Sequence, residues 1–474
     1  MSDSKRMAVQ TRFRPLQRYV WPGIAAIALT LITATSSKVY AAETTIVIEG
    51  CSLFDSESAT LVPDQTVVVR GSTIIHVAGK NNIPEIPADA VRIDGRGKYA
   101  LPGFIDAHVH VVHVLDYAHV TGDELLPLYL AAGVTAVRST GDEVVAATLV
   151  ARFAAAHPEF CPRVFTCSPL LDADPPIHRD IGRAITDPLL VPELFDDLER
   201  WDITTVKIYA GTSRPVGRAV IEESHRRGLF VTAHLGRYSA QDAVMDGVDG
   251  LEHIWSVFNY VIPPEIKNQP GHRGRLDLNS PACESLVTEL AQRKVFVDPT
   301  LAVFRNMILL PDVAGIHDHP DNALVPKRLR EFWPVYLRRT GCPQGGSLED
   351  RQLEFAKYLE LTGKLYRAGV PLLVGTDSPE PQVTPGFALH QEMEMLVQSG
   401  LPPAAVLKAA TLTNATVLGE HERCGSISEG KVADILLLSK NPLDDIRHTR
   451  SLELIMHHGI MCQPQALLER VPSE

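Results

Sequence analysis

At 474 residues with 45% hydrophobic content, the chain is long enough for a large buried core, and its composition excludes intrinsic disorder. A formal charge of -12, with no block of like charge, argues against nucleic acid or an anionic membrane surface as partner, since both call for clustered Lys and Arg. Seven cysteines, at 51, 161, 167, 283, 342, 424 and 462, are scattered without a CxxC; this excludes a disulfide scaffold, leaves room for a bridge or two at most, and reads mainly as small buried apolar residues.

The N-terminus reads as a targeting segment. Lys5, Arg6, Arg12, Arg14 and Arg18 precede an apolar stretch from Val20 to Ala34, and "KVYAAE" offers suitable residues for a cut after Ala41. The stretch is short and holds Pro22 and Gly23, so it would span a bilayer poorly. Residues 1–41 are therefore expected to be a signal peptide, leaving a mature protein in the periplasm or outside the cell with no stable membrane anchor.

Residues 42–100 contain "TTIVIEG", "TVVVRGSTIIHVAG" and "VRIDGRGKYALPG", Val- and Ile-rich runs broken by Gly and Asn that predict a small antiparallel sheet. Residues 421–474 repeat that texture in "GSISEGKVADILLLSK" and "SLELIMHHGIMC", so both chain ends are expected to build one β-sandwich domain. Between them, over 101–420, strands alternate with helix-length amphipathic segments. The candidate strands are "FIDAHVH", "VTAVRS", "RVFTCS", "TTVKIYA", "LFVTAHL", "GLEHIW", "VFVDPT" and "PLLVGTD". Eight such units predict an α/β fold, a (β/α)8 TIM-type barrel whose site lies at the C-terminal strand ends. Residues 256–282 and 303–350 exceed plain connections and are candidate lids.

The stretch "DAHVHVVH" carries the first chemical signal. Alternate strand residues share a face, so His108 and His110 point the same way, and two imidazoles on one face suit a metal. Asp106 lies one step lower on that face; His113 falls beyond the strand end. Lys207, His234, His253 and Asp377 interrupt apolar runs at the ends of the fourth, fifth, sixth and eighth strands, and a barrel would bring them together with the histidine pair.

These segments resemble the amidohydrolase superfamily, in its imidazolonepropionase-like and Xaa-Pro dipeptidase branch. The resemblance rests on "LPGFIDAHVH", "VKIYAG", "AHLG", "GVDGLEHIW", "AGVPLLVGTDSP" and the tail "LKAATLTNATVLGEHERCGSISEGKVADILLLSKNPLDDI". It implies a site for two divalent metal ions. His108, His110 and Asp377 would bind the buried one, His234 and His253 the outer one, and Lys207, as N6-carboxylysine, would bridge both. A lysine ammonium beside two dications is repelled, so the amine should lose its proton and take up carbon dioxide. The ligand types suit zinc, with nickel, cobalt or manganese as other fits. Asp377 would be the catalytic residue, a general base turned general acid.

Strand periodicity also nominates the layer above the ligands: Tyr209 over Lys207, Gly236 over His234, Trp255 over His253 and Pro379 over Asp377. Tyr209 and Trp255 are the candidate substrate-binding residues. His113 and His119 read as surface or supporting positions, His178 as a rim position, and Arg138 as half of a structural ion pair. Three classes compete for the function. The resemblance and the bridging lysine favour hydrolysis of a small-molecule amide or peptide, of dipeptide or N-acyl amino acid type. A cyclic-amide hydrolase or deaminase is the alternative, and a non-catalytic binding protein on the same barrel is disfavoured because no ligand is lost. A homo-oligomer is compatible with all three.

Overall fold

The computed structural model describes residues 44–79, 85–267, 269, 271–309, 318–340 and 346–474. The expected signal peptide and Cys342 lie outside them. Two sheets organise the rest. The first holds β1 (Thr45–Asp55), β2 (Thr60–Arg70), β3 (Thr73–Gly79), β4 (Val91–Asp94) and β5 (Tyr99–Pro102). The second, parallel, sheet follows with β6 (Phe104–Val109), β7 (Val134–Ser139), β8 (Arg163–Asp172), β9 (Gly182–Ala184), β10 (Ile203–Ile208), β11 (Phe230–Ala233), β12 (Gly250–Glu252) and β13 (Phe296–Asp298). The chain then returns to the first sheet with β14 (Ile435–Leu438), β15 (Leu452–His457) and β16 (Ile460–Cys462).

The first sheet runs β16-β15-β14-β5-β1-β2-β3, with β4 also on β1. It is mixed rather than wholly antiparallel, because β4 and β5 both pair parallel to β1. Register shifts between Ile48 and Leu53 bend β1, and the sheet closes over a core in which Ile46, Val67 and Ile74 meet Ile435, Leu437 and Met456. This is the sandwich built from both chain ends.

The second sheet keeps chain order, β6-β7-β8-β10-β11-β12-β13, with β9 on β8. All six residues of β6 and of β7 are buried, as expected for parallel strands covered on both faces. The helices expected after the second and fourth strands are Val144–Ala156, whose N-cap Glu143 accepts from the Ala146 N–H, and Arg214–Arg226.

The eighth expected strand, "PLLVGTD", is not a regular strand, yet it closes the ring. On one side the Val297 N–H donates to Pro371 O (3.0 Å) and the Leu373 N–H to Val297 O (3.0 Å). On the other, the Ala107 N–H donates to Val374 O (3.0 Å), the Asp377 N–H to His108 O (2.7 Å) and the His110 N–H to Ser378 O (2.8 Å). Side chains supply the ladder partners that irregularity removes: Asp106 accepts from the Thr376 N–H and hydroxyl, and Asn414 from the Val374 N–H. Gly375 permits the approach, because a Cβ there would lie 2.4 Å from Asp298 Oδ2 and 2.7 Å from His108 Cβ.

The six described cysteines are buried and unpaired, in accord with the packing reading. Among the described residues no helix is long and apolar enough to cross a membrane.

Candidate metal centre

The C-terminal ends of the barrel strands open into a cavity of about 290 Å³. His110, Lys207, His234, His253 and Asp377 line it, together with Tyr209 and Trp255, while His108 is fully buried beneath. The eight residues expected to hold metal or bind substrate thus meet at one place.

Distances define how they meet. Asp377 Oδ1 lies 3.5 Å from His108 Nε2 and 3.3 Å from His110 Nε2, and its Oδ2 is 3.9 Å from His253 Nδ1. Donor atoms of His108, His253 and Asp377 all fall within 4.8 Å of one another. Lys207 Nζ is 3.2 Å from His108 Nε2 and donates to Thr140 O at 3.1 Å. The His234 ring stands 4.6 Å from that of His253 and 4.7 Å from that of Tyr209. Two of these side chains stand on strained backbone: φ is 65° at His253 and 63° at Asp377, conformations that non-glycine residues hold only where the surroundings enforce them.

The donor set fits divalent metal. Burial, and then the nearby Lys207, push His234 down to about 3; burial and then His234 hold His253 well below the usual imidazole range. Both rings are therefore neutral near pH 7 and keep a lone pair to donate. His110 behaves oppositely. Burial would lower it, but Asp142 and Asp377 prevail and raise it to about 9. Burial draws the Lys207 amine below its ordinary value, the direction that frees its lone pair. Its stem fits because Gly141 has no side chain; a Cβ there would lie 2.3 Å from Leu170 and 3.2 Å from Lys207 Cδ.

A second ring of groups orients the histidines. Asp142 Oδ1 is 3.2 Å from His110 Nδ1 and also accepts from the His113 N–H, while its Oδ2 takes the Ser139 hydroxyl and the Val111 N–H. Glu252 and Asp298 share His108 Nδ1 at 2.9 and 3.1 Å, and Thr300 Oγ1 is 2.7 Å from His253 Nδ1. Each fixes which ring nitrogen faces the cavity. Arg138 answers Glu252 at 2.7 Å and is the buried ion pair expected; losing either partner would leave an uncompensated charge at a cost of about 3–5 kcal/mol.

These supporting residues escaped the sequence reading. Asp142, Glu252 and Asp298 also end buried strands or begin the loops after them, so polarity within an apolar run would have flagged them. Of the two readings for His113, surface or supporting, the second holds: it is buried against the site, with Nδ1 3.2 Å from Asp180 and Nε2 3.3 Å from the Tyr336 hydroxyl. His178 lines the cavity beside it, whereas His119 is exposed.

Trp255 reaches the cavity by a different route from the one periodicity implied. β12 ends at Glu252, and Trp255 is in the first turn of the helix Ile254–Val261, its ring 6.2 Å from that of His234. Gly236 and Pro379 are not among the lining residues. The two long segments do cover the site: Arg273 comes from the first, and Val303, Phe304, Met307, Ile308 and Tyr336 from the second. Glu392 steadies the helix Leu301–Leu309 by accepting from the Leu301 and Ala302 N–H groups.

A parallel barrel with a sandwich from both chain ends, and candidate metal ligands at the strand ends, accord with a metal-dependent hydrolase acting on carbon–nitrogen bonds, which the family match establishes. The chain belongs to the amidohydrolase family, whose sequence model matches residues 99–460. It is similar to an imidazolonepropionase from Cupriavidus taiwanensis, 22% identical over 404 residues that cover 81% of this chain and 86% of that protein. It also resembles an ochratoxinase from Aspergillus niger, 31% identical over 93 residues; the match spans 19% of this chain and 18% of that protein. A solved Xaa-Pro dipeptidase with methionine bound in its active site has the same fold, with a TM-score of 0.67 at 18% identity, covering 89% of this chain and 100% of that one.

Proposed function

We propose that this protein hydrolyses the amide bond of a small-molecule substrate, of dipeptide or N-acyl amino acid type, with two divalent ions. The carrying observation is the gathering of four histidines, Asp377 and a buried lysine amine around one cavity, with Asp377 Oδ1 facing His108 and His110 and Oδ2 facing His253. His108, His110 and Asp377 would hold one ion, His234 and His253 the other, and Lys207 as a carbamate would supply the bridging charge. When bound, such ions acidify water to near neutral pH and polarise a carbonyl.

The remaining work falls to the chain. Asp377 takes the proton of the attacking water on a carboxylate oxygen and delivers it to the departing nitrogen, so one group serves as base and then acid. Tyr209, half-buried at the cavity, keeps its proton because desolvation raises it far above the phenol range, and so can donate to substrate oxygen. Trp255 and Phe304 offer flat apolar surface that excludes water and positions the substrate. We propose further that residues 1–41 direct export and are cleaved, which the intact mass of protein from its native host would reveal as a start near residue 42.

Elemental analysis of active protein is expected to give close to two divalent ions per chain, with chelation abolishing turnover of dipeptides and N-acyl amino acids and zinc or a similar ion restoring it. An active preparation with one ion or none contradicts the two-ion reading. Trp255→Ala and Tyr209→Phe are expected to keep the metal while changing the ranking of substrates by kcat/KM. Equal loss on every substrate would mean that both rings serve packing alone.

A further inference from the structure

The wall of the cavity carried by the long segments is mostly apolar, but it also holds charged groups, Arg273 among them. The short turn Arg273–Arg275 is pressed onto the helix Leu348–Arg367; a Cβ at Gly274 would lie 2.6 Å from Leu353 Cβ. Arg273 is thereby held at the cavity, where its Nη1 donates to Glu354 Oε1 at 3.0 Å. The same oxygen also accepts from the Tyr358 hydroxyl at 3.0 Å. The Arg273 Nε is buried and has no hydrogen-bond partner.

A guanidinium offers five donors in a fixed plane, and a carboxylate matches one edge of it with two parallel bonds. Glu354 engages Nη1, and the guanidinium as a whole still lines the cavity. The position relative to the metal centre follows from a chain of contacts: the His253 ring meets Phe304 at 5.6 Å, Phe304 meets Tyr358 at 5.6 Å, and Tyr358 reaches Glu354 and so Arg273. Two aromatic rings therefore separate the ligand histidine from the charged station. A substrate whose amide sits at the histidines and whose body lies along Phe304 would bring its far end to Arg273.

We propose that Arg273 is a specificity-determining residue whose cavity-facing guanidinium receives a carboxylate of the substrate, so that the preferred substrate is an amide bearing an anionic group across an apolar or aromatic spacer from the scissile bond. This rests on the amide-hydrolase reading above. Glu354 and Tyr358 act as positioning residues, fixing the guanidinium plane.

The test compares N-(4-carboxybenzoyl)-phenylalanine with N-(4-carbamoylbenzoyl)-phenylalanine, equal in shape and different in charge, on the metal-loaded full chain. The wild type is expected to favour the carboxylate member by about tenfold or more, mostly through KM, as for a charge-assisted bidentate contact. Arg273→Gln should bring the ratio to near one, leave the carbamoyl member within about twofold, and leave metal content unchanged, while Arg273→Lys should recover part of the preference. If neither compound is turned over, the same ratio is read as Kd by calorimetry. That separates failure of this inference from failure of the hydrolytic reading, which the dipeptide assay judges. A wild-type ratio near one, a ratio unchanged in Arg273→Gln, an equal loss on both members, or no binding of either would overturn the inference; an equal loss would identify the Arg273–Glu354 pair as a structural clamp.

Discussion

Lys207→Ala is expected to lose at least one of the two metal ions and to reduce kcat/KM by about 10³-fold or more, equivalent to about 4 kcal/mol of transition-state stabilisation. Its amine stands 3.2 Å from His108 Nε2 in a site with no access for bulk water around the stem, and burial draws it below its usual range. A neutral amine attacks carbon dioxide, forming one N–C bond and releasing one proton, and the product carries the negative charge that two neighbouring cations require. An unmodified lysine cannot supply it. Short carboxylic acids such as acetate are expected to enter the space left in the Ala variant and restore part of both metal content and turnover. Lys207→Met, which keeps the stem's volume against Gly141 and Leu170, should be inactive and resist that rescue. Retention of two ions and full turnover by Lys207→Ala would falsify the carbamate reading.

The contrast between His108 and Trp255 shows what a sequence can reveal about such a site. His108 and His110 were legible because both sit on, or one step beyond, a strand whose every residue is buried, so period-two alternation describes their directions. Trp255 lies one turn into a helix, and alternation carried past Glu252 reached the right cavity with the wrong geometry. The barrel was legible for a similar reason: seven of its eight strands are apolar runs of ordinary composition. The eighth segment was legible as an apolar run too, but the side-chain bonds of Asp106 and Asn414 that supplement its backbone pairing, and the positive φ at Asp377, leave no periodic trace.

The supporting carboxylates mark the other limit. Asp142, Glu252 and Asp298 contact His110 or His108 from positions 32, 144 and 190 residues away in sequence. Such pairings depend on three-dimensional neighbours, and a single sequence specifies neighbours only as far as strand count and register can be inferred. Arg273 belongs to this class too. In sequence it is one basic residue in a His- and Arg-rich loop; only its packing against the helix of Glu354 turns it toward the cavity.

Asp377→Asn is expected to retain most of its metal and bind substrate with KM changed by no more than a few-fold, while kcat falls by about 10²–10⁴, the usual range for losing a positioned general acid–base group. The asymmetry of the carboxylate makes this separable from loss of a ligand. Oδ1 faces His108 and His110 at 3.5 and 3.3 Å, while Oδ2 faces His253 at 3.9 Å, a side on which Thr300 already satisfies the imidazole. An asparagine oxygen in the Oδ1 position can still donate a lone pair, but the amide nitrogen in the Oδ2 position cannot accept a proton. His110→Asn, by contrast, removes a ring that Asp142 orients and should lower metal content and turnover together. Measuring kcat, KM and metal content on both variants decides the matter. If Asp377→Asn loses metal to the same extent as His110→Asn, Asp377 serves as a ligand first, and the proton must reach the leaving nitrogen from another group at the cavity, for which His178, unprotonated near neutral pH because burial and then His113 push it down to about 4, is poorly suited.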